Sequence, residues 1–288
     1  MTPHALRTLP LNADCAEFCI KQQHRDVLAA GSYQLDEGTQ QRAGSIHLYR
    51  LSLEQPLPVL TDLSTLGLPG VFDMRWHPTE ALLAAALADG SVRQLALQDG
   101  TLEQTAEAPG PAAGSMAVSV DYSRCAPSAG DTLCVSYSCG RLQHIQAGPA
   151  QLRSLVEWQA HTLEAWAAAW HYWSADVIFS GGDDCAFRVW DLRQGVAAAA
   201  WTDRRTHAAG VCCVASSPCQ DHVVCTGSYD EKVRLWDLRM LHRPALQQQA
   251  SCFWNLDGFQ GKGGLHNACR SSQSACRPAR YQSPWSAL

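Results

Sequence analysis

Residues 158–193 read WQAHTLEAWAAAWHYWSADVIFSGGDDCAFRVWDLR, and residues 205–239 read RTHAAGVCCVASSPCQDHVVCTGSYDEKVRLWDLR. The two segments are copies of one unit. His161 and His207 lie 46 positions apart, and so do Ser180 and Thr226, Gly181 and Gly227, Asp184 and Asp230, Trp190 and Trp236, and Arg193 and Arg239. All these pairs share one register without a gap. Each unit holds short apolar runs, VIFSGG and FRVWDLR in the first. Between them stand Gly-Asp-Asp-Cys in the first copy and Gly-Ser-Tyr-Asp in the second. Such runs, parted by Gly and Asx residues, predict strands joined by a tight turn.

A period of ~40–45 residues closing on Trp-Asp is the signature of a WD40 propeller blade. Weaker copies precede the strong pair. Residues 15–50 hold CAEFCI, VLAAGSYQL and SIHLYRL; residues 71–97 hold VFDMRWHP, ALLAAALADG and SVRQLAL; residues 116–146 hold MAVSVDYS, TLCVSYSCG and RLQHIQ. Each set reads as the inner, second and third strand of a blade. The expected fold class is therefore all-β, a WD40 β-propeller with about five recognisable blades over residues 1–245. Residues 34–45 and 98–115 read as loops. From Leu246 the pattern stops. Residues 246–288 are rich in Ser, Gln, Arg, Gly and Pro and read as an irregular or disordered tail.

Composition narrows the function classes. The formal net charge is −5, so no basic surface invites nucleic acid. The longest apolar run, ALLAAALA at Ala81–Ala88, is far too short to span a bilayer, and no membrane partner is expected. The N-terminal MTPHALRTLPLNADCAEF lacks the apolar core of a secretory signal. The 13 cysteines are scattered, without a CxxC pair, and several sit in strand runs. They read as reduced thiols of a cytoplasmic or nuclear protein. No His and Cys cluster has ligand spacing, so neither metal nor other cofactor is expected.

In WD40 folds the turn Asp, a strand Ser or Thr, the strand Trp and the preceding His form a buried hydrogen-bonded set. Here the sets are His161, Ser180, Asp184 and Trp190, then His207, Thr226, Asp230 and Trp236. Their first reading is structural, because buried polar groups are tolerated when each is paired. Ligands of propellers bind where turns gather round the channel mouth. Exposed candidates there are Glu164, Trp166, Asp183, Cys185, Tyr229 and Glu231. Trp166 beside Glu164 suits a cation by cation–π contact. There is no GxSxG, HExxH or phosphate-binding glycine loop. Acid–base chemistry would fall to side chains at the mouth, with Glu164 and, if free of their sets, His161 or His207 as candidates.

The segments WQAHTLEAWAAAWHYWSADVIFSGGDD, THAAGV and TGSYDEKVRLWDLR resemble the diphthine methylesterase family, WD-repeat proteins of diphthamide synthesis. VLAAGSYQL and FDMRWHP are also similar to it. The likeness spans about residues 15–245 and is sharpest over 158–191 and 204–239. It implies hydrolysis of the methyl ester of methylated diphthine on translation elongation factor 2. It also implies a seven-bladed fold, of which this chain holds an incomplete set and could be an inactive form. The substrate side chain carries a trimethylammonium group, which Trp166, Asp183 and Tyr229 would face. A second class competes. Trp190-Asp191-Leu192-Arg193 and Trp236-Asp237-Leu238-Arg239 match the WDxR pattern of substrate receptors of cullin-4 ubiquitin ligases, with Arg193 and Arg239 as adaptor-binding residues. A scaffold without chemistry is the third reading.

Overall fold

The computed structural model of the chain describes residues 7–53, 58–125, 130–241 and 244–249. They form five four-stranded antiparallel sheets, each a propeller blade whose strands pair in sequence order. Blade one runs β1 (Asn12–Phe18), β2 (Val27–Leu35), β3 (Arg42–Ser52) and β4 (Val59–Pro69). Blade two runs β5 (Val71–Trp76), β6 (Leu82–Leu87), β7 (Val92–Gln98) and β8 (Thr101–Ala108). Blade three runs β9 (Ala117–Tyr122), β10 (Thr132–Tyr137), β11 (Arg141–Gly148) and β12 (Gln151–Gln159). Blade four runs β13 (Ala165–Trp170), β14 (Val177–Gly182), β15 (Phe187–Asp191) and β16 (Trp201–Asp203). Blade five runs β17 (Val211–Ser216), β18 (Val223–Ser228), β19 (Lys232–Asp237) and β20 (Leu246–Gln249).

From blade two onward the inner and second strands are short, largely buried runs because both their faces are covered, whereas β1, NADCAEF, is mostly exposed. AWAAAW of β13 is buried at every position. The outer strands are less buried than the inner ones, as in QLRSLVEWQ of β12, most of which is exposed. That strand was missed by the three-strand reading. Residues 98–115, read as a loop, contain β8. Residues 34–45 hold the ends of β2 and β3 around a short turn. The fifth blade also runs past the expected boundary at 245, because Leu246–Gln249 pairs with β19 as its outer strand. The tail expected beyond it lies outside the described residues.

Successive blades meet through apolar clusters. Met74, Trp76 and Leu83 pack with Ile46 and Leu48 between blades one and two, and Phe179, Phe187, Val214 and Trp236 pack between blades four and five. Gly181 explains its place in the repeat. A Cβ there would stand 2.5 Å from Val211 Cγ1 and 2.8 Å from the Val211 carbonyl oxygen, so β14 approaches blade five only without a side chain.

The inner strands are also stitched edge to edge. Glu17 Oε2 accepts from the Trp76 N–H at 2.9 Å, Asp73 Oδ2 from Val120 N–H at 3.0 Å, and Asp121 Oδ2 from Trp170 N–H at 3.0 Å. Ser216 Oγ accepts from Tyr172 N–H at 3.0 Å. Inner-strand edges carry N–H groups that their own sheet does not use, and these side chains satisfy them across each seam. β1 packs on β5, β5 on β9, β9 on β13 and β13 on β17; among the described residues β17 and β1 share no comparable seam.

Candidate functional site

Every inner strand carries a β-bulge at the same place. The register shifts at Asp14 in β1, Phe72 in β5, Val118 in β9, Trp166 in β13 and Cys212 in β17. A bulge re-aims one side chain out of the pleat, and bulges recur beside functional sites. Two residues before the bulge, a backbone carbonyl takes the N–H of a turn residue on the neighbouring hairpin. The pairs are Ala88 to Gly70, Ser138 to Met116, Asp183 to Glu164 at 2.8 Å, and Tyr229 to Gly210 at 3.0 Å. The mouth thus has two rows, bulge residues and turn residues. Blades four and five supply Trp166, Asp183 and Tyr229, with Asp14 of blade one and Ser138 of blade three as further polar members.

Two of these members touch. Trp166 is only 8% exposed, and its indole N–H donates to Asp183 Oδ1 at 3.2 Å. The open aromatic face expected for Trp166 is therefore corrected: its bulge turns it into a wall, held by Asp183. Tyr229 is half-buried. Burial pushes its phenol well up, and Cys212, Asp183 and Asp14 push it further, so it keeps its proton. Asp14 is pushed up to about 7, first by burial and then by Asp73. A carboxyl held there exists in both forms near neutral pH, the condition a proton-transfer group needs. No sequence feature singled out Asp14. Its one signal was a polar residue at the blade-one position that elsewhere carries Phe72, Val118, Trp166 or Cys212.

The histidines are placed differently. Trp190 can only donate, and it gives its indole N–H to Ser180 Oγ at 2.9 Å. Ser180 then donates to His161 Nε2 at 2.8 Å, leaving His161 Nδ1–H for Asp184 Oδ1 at 2.8 Å. The His161 pKa is lowered by burial and its ring is neutral. Burial alone would raise Asp184, but bonds from His161, Thr162 N–H and Ala186 N–H outweigh it and hold the carboxyl low. Both ring nitrogens are committed, so His161 has none with which to take a proton from water.

The second set is not a copy. Trp236 donates to Thr226 Oγ1 at 2.8 Å, and His207 Nε2 meets Thr226 Oγ1 at 2.9 Å. Asp230, however, does not bond His207. It takes Arg234 at 2.6 and 3.0 Å, with Ala208 N–H and Lys232 N–H. His207 Nδ1 finds no hydrogen-bond partner among the described residues and stands 3.9 Å from Asp203. Burial, helped by Arg234, pulls its pKa down to about 4. A base that weak, buried and away from the mouth, does not fit the role expected of it. Glu164 is half-buried beside Trp166, and its backbone rather than its carboxylate makes the contact with Asp183. Cys185 and Glu231 occupy one matched turn position, at φ 59° and 63°.

Arg193 and Arg239 repeat one geometry. Each folds back on the aspartate two residues before it, at 2.9 and 2.7 Å for Asp191 and at 2.9 and 2.6 Å for Asp237. Their side chains remain 66% and 67% exposed. At the other end of the inner strands a small depression is lined by Arg75, Asp121, Arg124, Tyr172 and Ser216. Among the described residues no group of three or more His, Cys, Asp or Glu is arranged to hold a metal ion, and no helix is long and apolar enough to cross a membrane.

The WD domain, G-beta repeat family matches residues 202–237. A chain in the crystal structure of a mitotic checkpoint complex shares the fold, with a TM-score of 0.61 at 17% identity, covering 86% of this chain and 68% of that one. A diphthine methyltransferase from Mus musculus is 33% identical over 260 residues, which is 81% of this chain. The chain belongs to the diphthine methyltransferase family. It spans about half the length of that relative, 54%. The family name states a methyl transfer, whereas the resemblance read from the sequence implied ester hydrolysis. Over a shorter stretch, an E3 ubiquitin-protein ligase, COP1, from Arabidopsis thaliana is 32% identical over 92 residues, covering 32% of this chain and 13% of that protein.

Proposed function

We propose that this member of the diphthine methyltransferase family hydrolyses the methyl ester of methylated diphthine on elongation factor 2 in the cytoplasm, releasing methanol and leaving diphthine. The observation that carries the reading is the contact of Trp166 with Asp183 at the channel mouth, beside the Tyr229 phenol. A half-buried carboxylate held by the Trp166 indole suits the trimethylammonium group of that side chain by charge, since ionic attraction strengthens in a partly desolvated site. The relatives' name points to the same modified residue and differs in what receives the methyl group.

The test is release of methanol from elongation factor 2 bearing methylated diphthine, with this chain and with one extended to the relatives' length. Methanol from both supports hydrolysis by the blades described here. Methanol from the extended chain alone assigns the chemistry to the added part. Transfer of a labelled methyl group onto diphthine, with no methanol from the ester, replaces hydrolysis by synthesis.

A second reading, capture by a cullin-4 ligase adaptor, is favoured by the matched forks of Arg193 and Arg239 and by the similarity to a ubiquitin ligase. It uses WDxR turns rather than the mouth. Silence in every assay would leave a scaffold.

A further inference from the structure

The Asp183 carboxylate lies against the inner-strand end of the next blade, at a residue with no side chain. We propose that Gly210 is the positioning residue of the cation seat at the mouth: its bare backbone lets the Asp183 carboxylate rest on blade five, in reach of the Trp166 indole. This rests on the reading of Asp183 as the seat of a trimethylammonium group and names the residue that gives the mouth its affinity for a quaternary ammonium.

Each seam pairs a turn residue with a residue of the following blade. The turn residues of blades one to four are Tyr33, Ala88, Ser138 and Asp183. Two residues before the bulge, the blades that follow carry Gly70, Met116, Glu164 and Gly210. Glycine stands after the two larger turn residues, and Met or Glu after the two smaller ones. A Cβ on Gly70 would fall on the Tyr33 ring. A Cβ on Gly210 would fall on Asp183 Oδ1, 3.4 Å from Asp183 Cγ and 3.2 Å from Asp183 Cα. The φ of Gly210 is not positive, so contact alone excludes a side chain there.

Gly210 acts on both blades. Its carbonyl takes the Tyr229 N–H at 3.0 Å and holds the turn of blade five. Its open side receives Asp183, whose Oδ1 accepts the Trp166 indole N–H at 3.2 Å and whose own N–H donates to the Glu164 carbonyl at 2.8 Å. Asp183 is half-buried while Gly210 and Trp166 are buried, so the carboxylate has one wall of backbone and one of indole. Partial desolvation strengthens its attraction for a cation. Gly181 differs in what surrounds it. An added Cβ there strikes the Val211 backbone, which cannot step aside, and the cost is stability. At Gly210 the nearest atom is the end of a side chain. An alanine fits once the carboxylate swings away, and the loss falls on the seat.

The experiment follows the Trp166 indole N–H by NMR, in protein carrying isotope-labelled tryptophan, during titration with tetramethylammonium. W166F assigns the resonance, and methanol release is measured beside it. In the wild type the resonance should move as the cation binds. In G210A it should start from a different position, because the bond to Asp183 is broken, and affinity for tetramethylammonium should fall about tenfold or more, the usual effect of losing a contact to a charged group. KM for elongation factor 2 bearing methylated diphthine should rise by about the same factor, with a much smaller change in kcat. In D183A, which removes the carboxylate, the further change G210A should alter neither the affinity nor the urea midpoint. A G210A protein that binds tetramethylammonium like the wild type, where D183A has lost that binding, overturns the role of Gly210 and leaves the cation reading standing. If G210A fails to fold, the D183A background decides: a folded double variant supports the role, and one that also fails overturns it. A wild type whose Trp166 resonance ignores tetramethylammonium removes the cation reading and the role with it.

Discussion

His161 Nδ1 lies 2.8 Å from Asp184 Oδ1, whereas the matching Asp230 turns from His207 to Arg234. Both aspartates hold the arginine four residues on, Arg188 for Asp184 at 3.2 Å and Arg234 for Asp230, so the copies differ at the histidine. Arg234 is 1% exposed, and its guanidinium takes Asp230 on both carboxylate oxygens.

Double-mutant cycles should separate the pairs. Coupling between His161 and Asp184 is expected at about 1.5–3 kcal/mol, the range for a bond to a charged group. Coupling between His207 and Asp230 should stay below about 0.5 kcal/mol. Asp230→Ala should still cost about 3–5 kcal/mol, because it strands the Arg234 charge in the interior. Urea unfolding of the single and double variants measures all three, and equal couplings in the two blades would show that the wiring is the same.

Acid should weaken the fold as its buried histidines take up protons. His144 and His207 are both pulled down to about 4, by burial first, and His161 is lowered as well. Their folded pKa values lie below the unfolded value of 6.5. Their contribution is therefore complete above pH 6.5 and is lost as pH falls from there through 4. The urea midpoint should drop over that window, and His207→Gln should flatten the slope.

Asp14 has the opposite sign. Its folded value of about 7 lies above the unfolded 3.8, so its contribution is present below pH 3.8 and is lost as pH rises through 7. D14N should accordingly be more stable than the wild type at pH 8 and similar to it at pH 4. Thermal melts at the two pH values read this without reference to activity.

Gly181→Ala should cost about 1–3 kcal/mol, the usual penalty of overpacking, since the new Cβ presses on Val211 of the next blade. The companion Val211→Ala should recover part of the loss. A Gly181→Ala protein as stable as the wild type would mean that the seam between blades four and five has slack.

Arg193→Ala and Arg239→Ala should each leave stability nearly unchanged, because both side chains are exposed and their ion pairs are solvent-screened. Adaptor capture, read by pull-down with the purified adaptor, should be lost in the double variant if the second functional reading holds, while methanol release stays unchanged. Retained capture removes that reading.

The blades were legible because their signals are local. The apolar runs, the Asx and Gly turns and the 46-residue register fix which residues pair within a hairpin. The members of the two polar sets could be named for the same reason. The outer strands were not legible in most blades. Much of β8 and β12 faces water, so alternation fades where no core demands it. The bulges were hidden too, since one extra residue in a strand leaves no mark in composition.

Sequence alone determined the repeat, the fold class and the residues of each polar set, because contacts within one hairpin follow from spacing. Only the tertiary structure decided that Asp184 serves His161 as well as Arg188 while Asp230 serves Arg234 and not His207, and that Trp166 is a wall rather than an open face. Those outcomes depend on burial and on charges carried by different strands and blades. Desolvation and charge coupling act through distance in space, which separation along the chain does not record.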